Sequence, residues 1–173
     1  DAGHVALFDT GGNFVKQLDV GVLPDQLTFT PDGTRILVAN EAEPASNTNN
    51  APGSVSIIDV SGGAATAAVS NTISFAALNG SEAALTTNGL ALLPGQAAAN
   101  DIEPEYISVS PDGTRAYVTL QEVDAVAVID LTDPTADRPL SILPLGGVDH
   151  SLAGNELDAS DQDGGIKLVN APV

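Results

Sequence analysis

The pentapeptide PDGTR occurs twice, at residues 31–35 and 111–115, and the match spreads to both sides with Pro24 against Pro104, Leu27 against Ile107, Phe29 against Val109 and Val38 against Val118. An internal repeat at an offset of 80 residues, flanked by alternating apolar positions, leaves few architectures open. Within each copy Pro fixes φ at the second turn position, Asp bonds its own backbone and Gly supplies φ > 0. Each copy therefore predicts strand, tight turn, strand, so PDGTR is hairpin punctuation rather than a duplicated chemical site.

A second signature ends in Asp and occurs three times, as HVALFDT (4–10), SVSIIDV (54–60) and AVAVIDL (125–131). Each is followed by another strand: FVKQLDV (14–20), NTISFAA (71–77) and PLSILPL (139–145). Four strands per repeated unit, labelled A to D, is the composition of a propeller blade. The expected fold is all-β, a β-propeller of which about two and a half four-stranded blades are visible. Residues 1–20 read as the C and D strands of a preceding blade, 24–77 as a first full blade and 78–103 as an insertion. Residues 104–145 read as a second full blade, and 146–173 as an acidic loop leading to the next. A β-sandwich is the competing all-β arrangement, and the blade-length repeat argues against it. Closed propellers hold roughly 4 to 8 blades, so the arc is expected to be completed by the remaining blades of a larger chain or by another polypeptide.

The 173 residues carry 5 Lys and Arg against 23 Asp and Glu, a formal charge of −18. Such a surface repels phosphate backbones and anionic head groups, which argues against nucleic acid and membrane partners. Cys and Met are absent, removing disulfides, thiolate ligands and cysteine nucleophiles. No stretch approaches the ~18 apolar residues of a membrane span, so direct membrane insertion is not expected. The opening DAGHVALFD lacks the basic start and apolar run of a signal peptide.

Antiparallel alternation puts the A–B and C–D turns at one end of every blade and the D–A and B–C connections at the other. PDGTR belongs to the first end. The second collects Asp25, Glu41, Glu43, Asp101, Glu103, Glu105, Glu122, Asp124, Asp149 and His150, together with the long insertions. Converging carboxylates repel unless neutralised, and a hard, oxygen-seeking cation such as calcium does this best. Glu41, Glu43, Asp101, Glu103 and Glu105 form the first candidate metal group; the alternative is a set of independent, solvated loop acids. Asp149 joins them as a candidate from the 149–151 loop. The string DASDQDGG (158–165) offers Asp158, Asp161 and Asp163 as a partial EF-hand-like loop, although Ala159 occupies its first ligand position and no Glu closes it. A polar turn is the preferred reading of that string.

His150 is the candidate acid–base side chain on this end, but its neighbours in Asp149-His150-Ser151 point apart in extended chain, so no nucleophilic triad follows. Arg35 and Arg115 recur with the turn and are expected to bind a carboxylate or carbonyl beside it. The insertion at 77–100 is expected to contain a short helix from about Ser81, ended by Gly89. Asn79-Gly80-Ser81 matches a glycosylation sequon.

The strings LPDQLTFTPDGTRILVANEAEP, PGSVSIIDVS, DIEPEYISVSPDGTRAYVTLQE, AVAVIDL and DHSLAGNELDASDQDG together resemble the choice-of-anchor I domain, and the strand–turn–strand units resemble YVTN-type surface propellers. That domain is shared with mesenchyme-specific cell-surface glycoproteins and with proteins described as atypical alkaline phosphatases. The resemblance implies an extracellular or cell-surface location. Two functional expectations follow: a calcium-stabilised propeller module for surface or matrix interaction, and a calcium-dependent phosphoesterase resembling propeller phytases. The second needs basic groups beside the acids to hold phosphate, and none of the five occurs in the loops that carry Glu41, Glu43, Asp101, Glu103 and Glu105.

Overall fold

Turn chemistry acts identically in both PDGTR copies. Gly33 and Gly113 each sit at φ +69°. Their amides donate to the carbonyls of Thr30 and Ser110, both at 2.8 Å, closing the turns. The Asp32 and Asp112 carboxylates accept from the amides of Thr34 and Thr114 at 3.1 Å. The same carboxylates accept from the hydroxyls of Thr30 and Ser110 at 2.6 Å. The turn is thus fixed by local bonds that any flanking strand pair can use.

A computed structural model describes residues 2–43, 51–133, 135–137, 139–159, 162 and 164–169. β1 (Gly3–Phe8) and β2 (Phe14–Val20) form a two-stranded antiparallel sheet. β3 (Pro24–Phe29), β4 (Arg35–Asn40), β5 (Ser54–Asp59) and β6 (Ala68–Ser74) follow as a four-stranded sheet in chain order. After α1 (Glu82–Thr87) and α2 (Ala98–Asp101), β7 (Pro104–Val109), β8 (Arg115–Leu120), β9 (Ala125–Asp130) and β10 (Ser141–Pro144) repeat the same sheet. β11 (Leu157–Asp158) pairs with β12 (Leu168–Val169), Leu157 opposite Val169. The fold is all-β and propeller-like, with β3–β6 and β7–β10 as consecutive blades. The expected helix after Ser81 is α1, and Gly89 ends it at φ +103°; α2 has no counterpart in the sequence reading.

Every residue of β4 from Ile36 to Asn40 is buried, because this strand is covered on both faces. Ile36 and Val38 point to β1–β2, where they pack with Val5, Val20 and Ile58. Leu37 and Ala39 point the other way, into a larger core with Val55, Ile57, Ile107, Val118, Ala127 and Ile129. Burying each such side chain stabilises by roughly 1.5–3 kcal/mol, so the blade faces, not the turns, hold the arc together. Polar clamps add register across the blades. Arg35 Nη1 donates to the Leu131 carbonyl at 2.8 Å, the carbonyl partner expected for this arginine. Gln26 Oε1 accepts from the Ile107 amide at 3.0 Å.

Candidate functional site

Opposite the PDGTR turns, the D–A and B–C connections meet in a strained arrangement. Leu23, Ala42 and Asp124 have φ of +48°, +60° and +50°, and among the described residues these are the non-glycine positions in the left-handed region. All three lie in these connections. The Glu41 amide donates to the Leu23 carbonyl at 2.9 Å and the Ala42 amide to the Val22 carbonyl at 3.2 Å, clasping the two connections of the first blade. Backbone strain of this kind persists only where surrounding structure over-determines it.

Gly53 then lays the first blade's B–C connection onto the start of the second blade. Its amide donates to the Ala99 carbonyl at 3.1 Å. The consequence is electrostatic. Burial raises the pKa of Glu103 most, and the negative charges of Glu122, Glu41, Glu43 and Asp101 raise it further, to about 7. Glu41 is raised by burial and then by Asp25, Glu43, Glu105 and Glu122. Glu105 is raised by burial, Glu122 and Asp25. Four connections from two blades therefore share one field, and Asp25 and Glu122, outside the first candidate group, belong to it.

The remaining candidates are engaged elsewhere. Asp101 is 7% exposed and its Oδ2 accepts from the Leu93 amide at 2.6 Å, so α2 turns it toward the insertion. Asp149 Oδ1 accepts from the Ser151 amide at 2.9 Å and from its hydroxyl, which holds the carboxyl below its ordinary pKa. His150 Nδ1–H donates to the Asn155 carbonyl, and His4 pairs with Asp19 at 2.9 Å. Asp158 stands exposed on β11, opposite Leu168. Asp161 and Asp163, and with them the EF-hand-like reading, lie outside the described residues. Among the described residues no three His, Asp or Glu side chains come close enough together to hold a metal ion. The acids of this end share a potential without forming a cage.

The sequence fits the choice-of-anchor I domain over residues 1–173. The chain belongs to that family. Membership makes this choice-of-anchor I chain a surface-associated or secreted propeller-like module. A candidate 6-phosphogluconolactonase of Bacteroides fragilis superposes with a TM-score of 0.53 at 12% identity, covering 83% of this chain and 34% of that one. Hydrazine synthase of Kuenenia stuttgartiensis superposes with a TM-score of 0.51 at 15% identity, covering 83% and 43%. At such identities the likeness is one of fold alone, and the choice-of-anchor I chain spans less than half of either protein. No curated protein sequence matches it significantly. Among the described residues no helix is long and apolar enough to cross a membrane.

Proposed function

We propose that this chain is a non-enzymatic interaction module of a surface or matrix protein, and that its acidic end recruits calcium as counter-ion and bridge. The observation that carries the reading is that the pKa values of Glu41, Glu103 and Glu105 are all raised, first by burial and then by neighbouring carboxylates, with Glu122 common to all three. Since the carboxylates are not at chelating separation, binding is of the weak kind, with a dissociation constant on the order of 10⁻⁴–10⁻³ M as in extracellular modules. Glu41, Glu103 and Glu105 would supply oxygens, with Asp25, Glu43 and Glu122 adding charge. For the phosphoesterase reading the acids would need basic neighbours; Arg35 instead donates to the Leu131 carbonyl and Lys16 to the Ala67 carbonyl.

The test is a thermal melt in EDTA and in graded calcium. A ligand that binds only the folded state stabilises it by RT ln(1 + [L]/Kd), about 2.7 kcal/mol at a hundredfold excess. The double change Glu103→Gln, Glu105→Gln should abolish the gain, while Glu156→Gln should keep it. An unmoved wild-type midpoint up to ten millimolar calcium sinks the calcium part of this reading.

A further inference from the structure

Corresponding positions at the two joints between sheets carry opposite chemistry. Asn40 follows Ile36 and Val38 on the face of β4 that looks toward β1–β2. Ser54 and Ser56 stand beside it on β5, paired with Asn40 and Val38. In the second blade Leu120 takes the place of Asn40, and Ala125 and Ala127 take the places of the serines, paired in the same register with Leu120 and Val118. These three lie on the face turned to the first blade. Asn40 and Leu120 are both 0% exposed. The fold therefore accepts an apolar trio at this position, and the first joint holds a polar one.

That polar trio is incompletely paired. Asn40 Nδ2 donates to Ser54 Oγ at 3.2 Å and to Ser56 Oγ at 3.0 Å, while Oδ1 has no donor among the described residues. Turning the amide over exchanges the two atoms and leaves Nδ2 without a partner instead. A buried polar atom of this kind forfeits its hydration, and the loss is recovered whenever water reaches it. Gly21 covers the trio closely: a Cβ there would stand 2.6 Å from Asn40 Cβ and Cγ and from Ser54 Oγ.

The connections that cross the joints differ in the same sense. Residues 75–103 cross the second and bury Leu90, Ala98, Ala99 and Ile102 in the larger core. Residues 21–23 cross the first, and none of them is buried. Leu23 is held at φ +48°, and Ala42, which clasps this connection, at +60°.

We infer that the joint between β1–β2 and the first blade is built to open, swinging β1–β2 and the 21–23 connection off β4 and β5 while the joint between the two blades stays shut. Opening hydrates the Asn40 amide and releases the left-handed backbone at Leu23 and Ala42, two gains that the second joint does not offer. The open form presents Val20, Ile36, Val38 and Ile58, an apolar slot that the shut form hides.

The experiment follows thiol labelling in the full-length protein, in EDTA so that it is independent of calcium. The chain has no cysteine, and Val38 and Val118 are repeat partners, each 0% exposed and each facing one joint. Well below the denaturant midpoint, Val38→Cys should label roughly tenfold faster than Val118→Cys, the equivalent of one unpaired buried atom. Asn40→Leu with Ser54→Ala and Ser56→Ala installs the second blade's trio; it should slow labelling at position 38 toward the rate at 118 and leave the latter unchanged. Ser54→Ala with Ser56→Ala strips the amide of both partners and should speed labelling at position 38 alone, and this variant decides the matter if the triple one does not fold. Equal labelling at 38 and 118, a triple variant that leaves position 38 as fast, or a double serine variant that leaves it no faster overturns the inference.

Discussion

A Cβ built on Gly53 would stand 2.2 Å from the carbonyl oxygen of Ile102 and 2.5 Å from Pro104 Cδ. No rotamer relieves a clash with backbone, so one missing methyl group is what allows the first blade's B–C connection to reach the second blade. Gly53→Ala should destabilise the fold by roughly 1–3 kcal/mol through overpacking. It should also lower the pKa of Glu103 by moving Glu41 and Glu43 away. Gly147, with open space around it and no left-handed backbone, is the control, and Gly147→Ala should leave the denaturation midpoint in place.

Gly113→Ala is expected to act by a different cause. At φ +69° the cost is conformational, since Pro31 Cδ at 3.8 Å is ordinary contact. A loss of about 1 kcal/mol is expected, read as a shift in denaturant midpoint at constant slope. Any calcium response should be unchanged, because the turn lies at the other end of the blade.

Asp101 gives up one oxygen to the Leu93 amide. Asp101→Ala should cost about 1–2 kcal/mol by orphaning that donor, and Asp101→Asn should recover most of it because an acceptor remains. If Ala and Asn variants melt together, the bond contributes nothing and the insertion is held by Leu90, Ala98 and Ile102 alone.

The pH dependence follows from Glu103, whose folded-state pKa of about 7 exceeds the ordinary glutamate value of 4.5. The folded chain binds this proton more tightly than the unfolded chain, so below pH 4.5 the group has no effect on stability. Stability then falls as pH rises from 4.5 through 7. The group is only part-buried, so after screening the loss is a few tenths of a kcal/mol to about 1 kcal/mol. Glu103→Gln should remove that slope and leave the protein more stable than wild type at pH 8. A steeper loss in the variant would contradict the account.

Much of this was legible because turns and strands are local. PDGTR announced both hairpins, and the Val38–Val118 match carried the register with it. The end on which Asp25, Glu41, Glu105 and Glu122 gather followed from strand alternation. Separation within that end did not, since it depends on Gly53 meeting Ile102 across 49 positions of sequence. Asp101 was placed among the acids because NDIEPE reads as an extended approach to β7; the helical turn 98–101 instead directs it inward. The 146–173 segment reads as an acidic loop because DQDGG stands where the repeat has PDGTR; within it β11 and β12 pair as a hairpin, whose flanks LDAS and IKLVN repeat earlier strands.

The turn aspartates and the part-buried connection glutamates are held in opposite ways. At the turn end Asp32 and Asp112 are pulled down to about 2 by hydroxyl and amide donors. Asp9, Asp59, Asp130 and Asp133 are lowered by their own turn bonds. At the connection end Glu41, Glu103 and Glu105 are raised. Acidification therefore protonates Glu41, Glu103 and Glu105 before the aspartates of the turn end. As its net charge shrinks, the turn end keeps its ionised aspartates after those three glutamates are neutralised, so the charge that remains there favours presenting that end to cations.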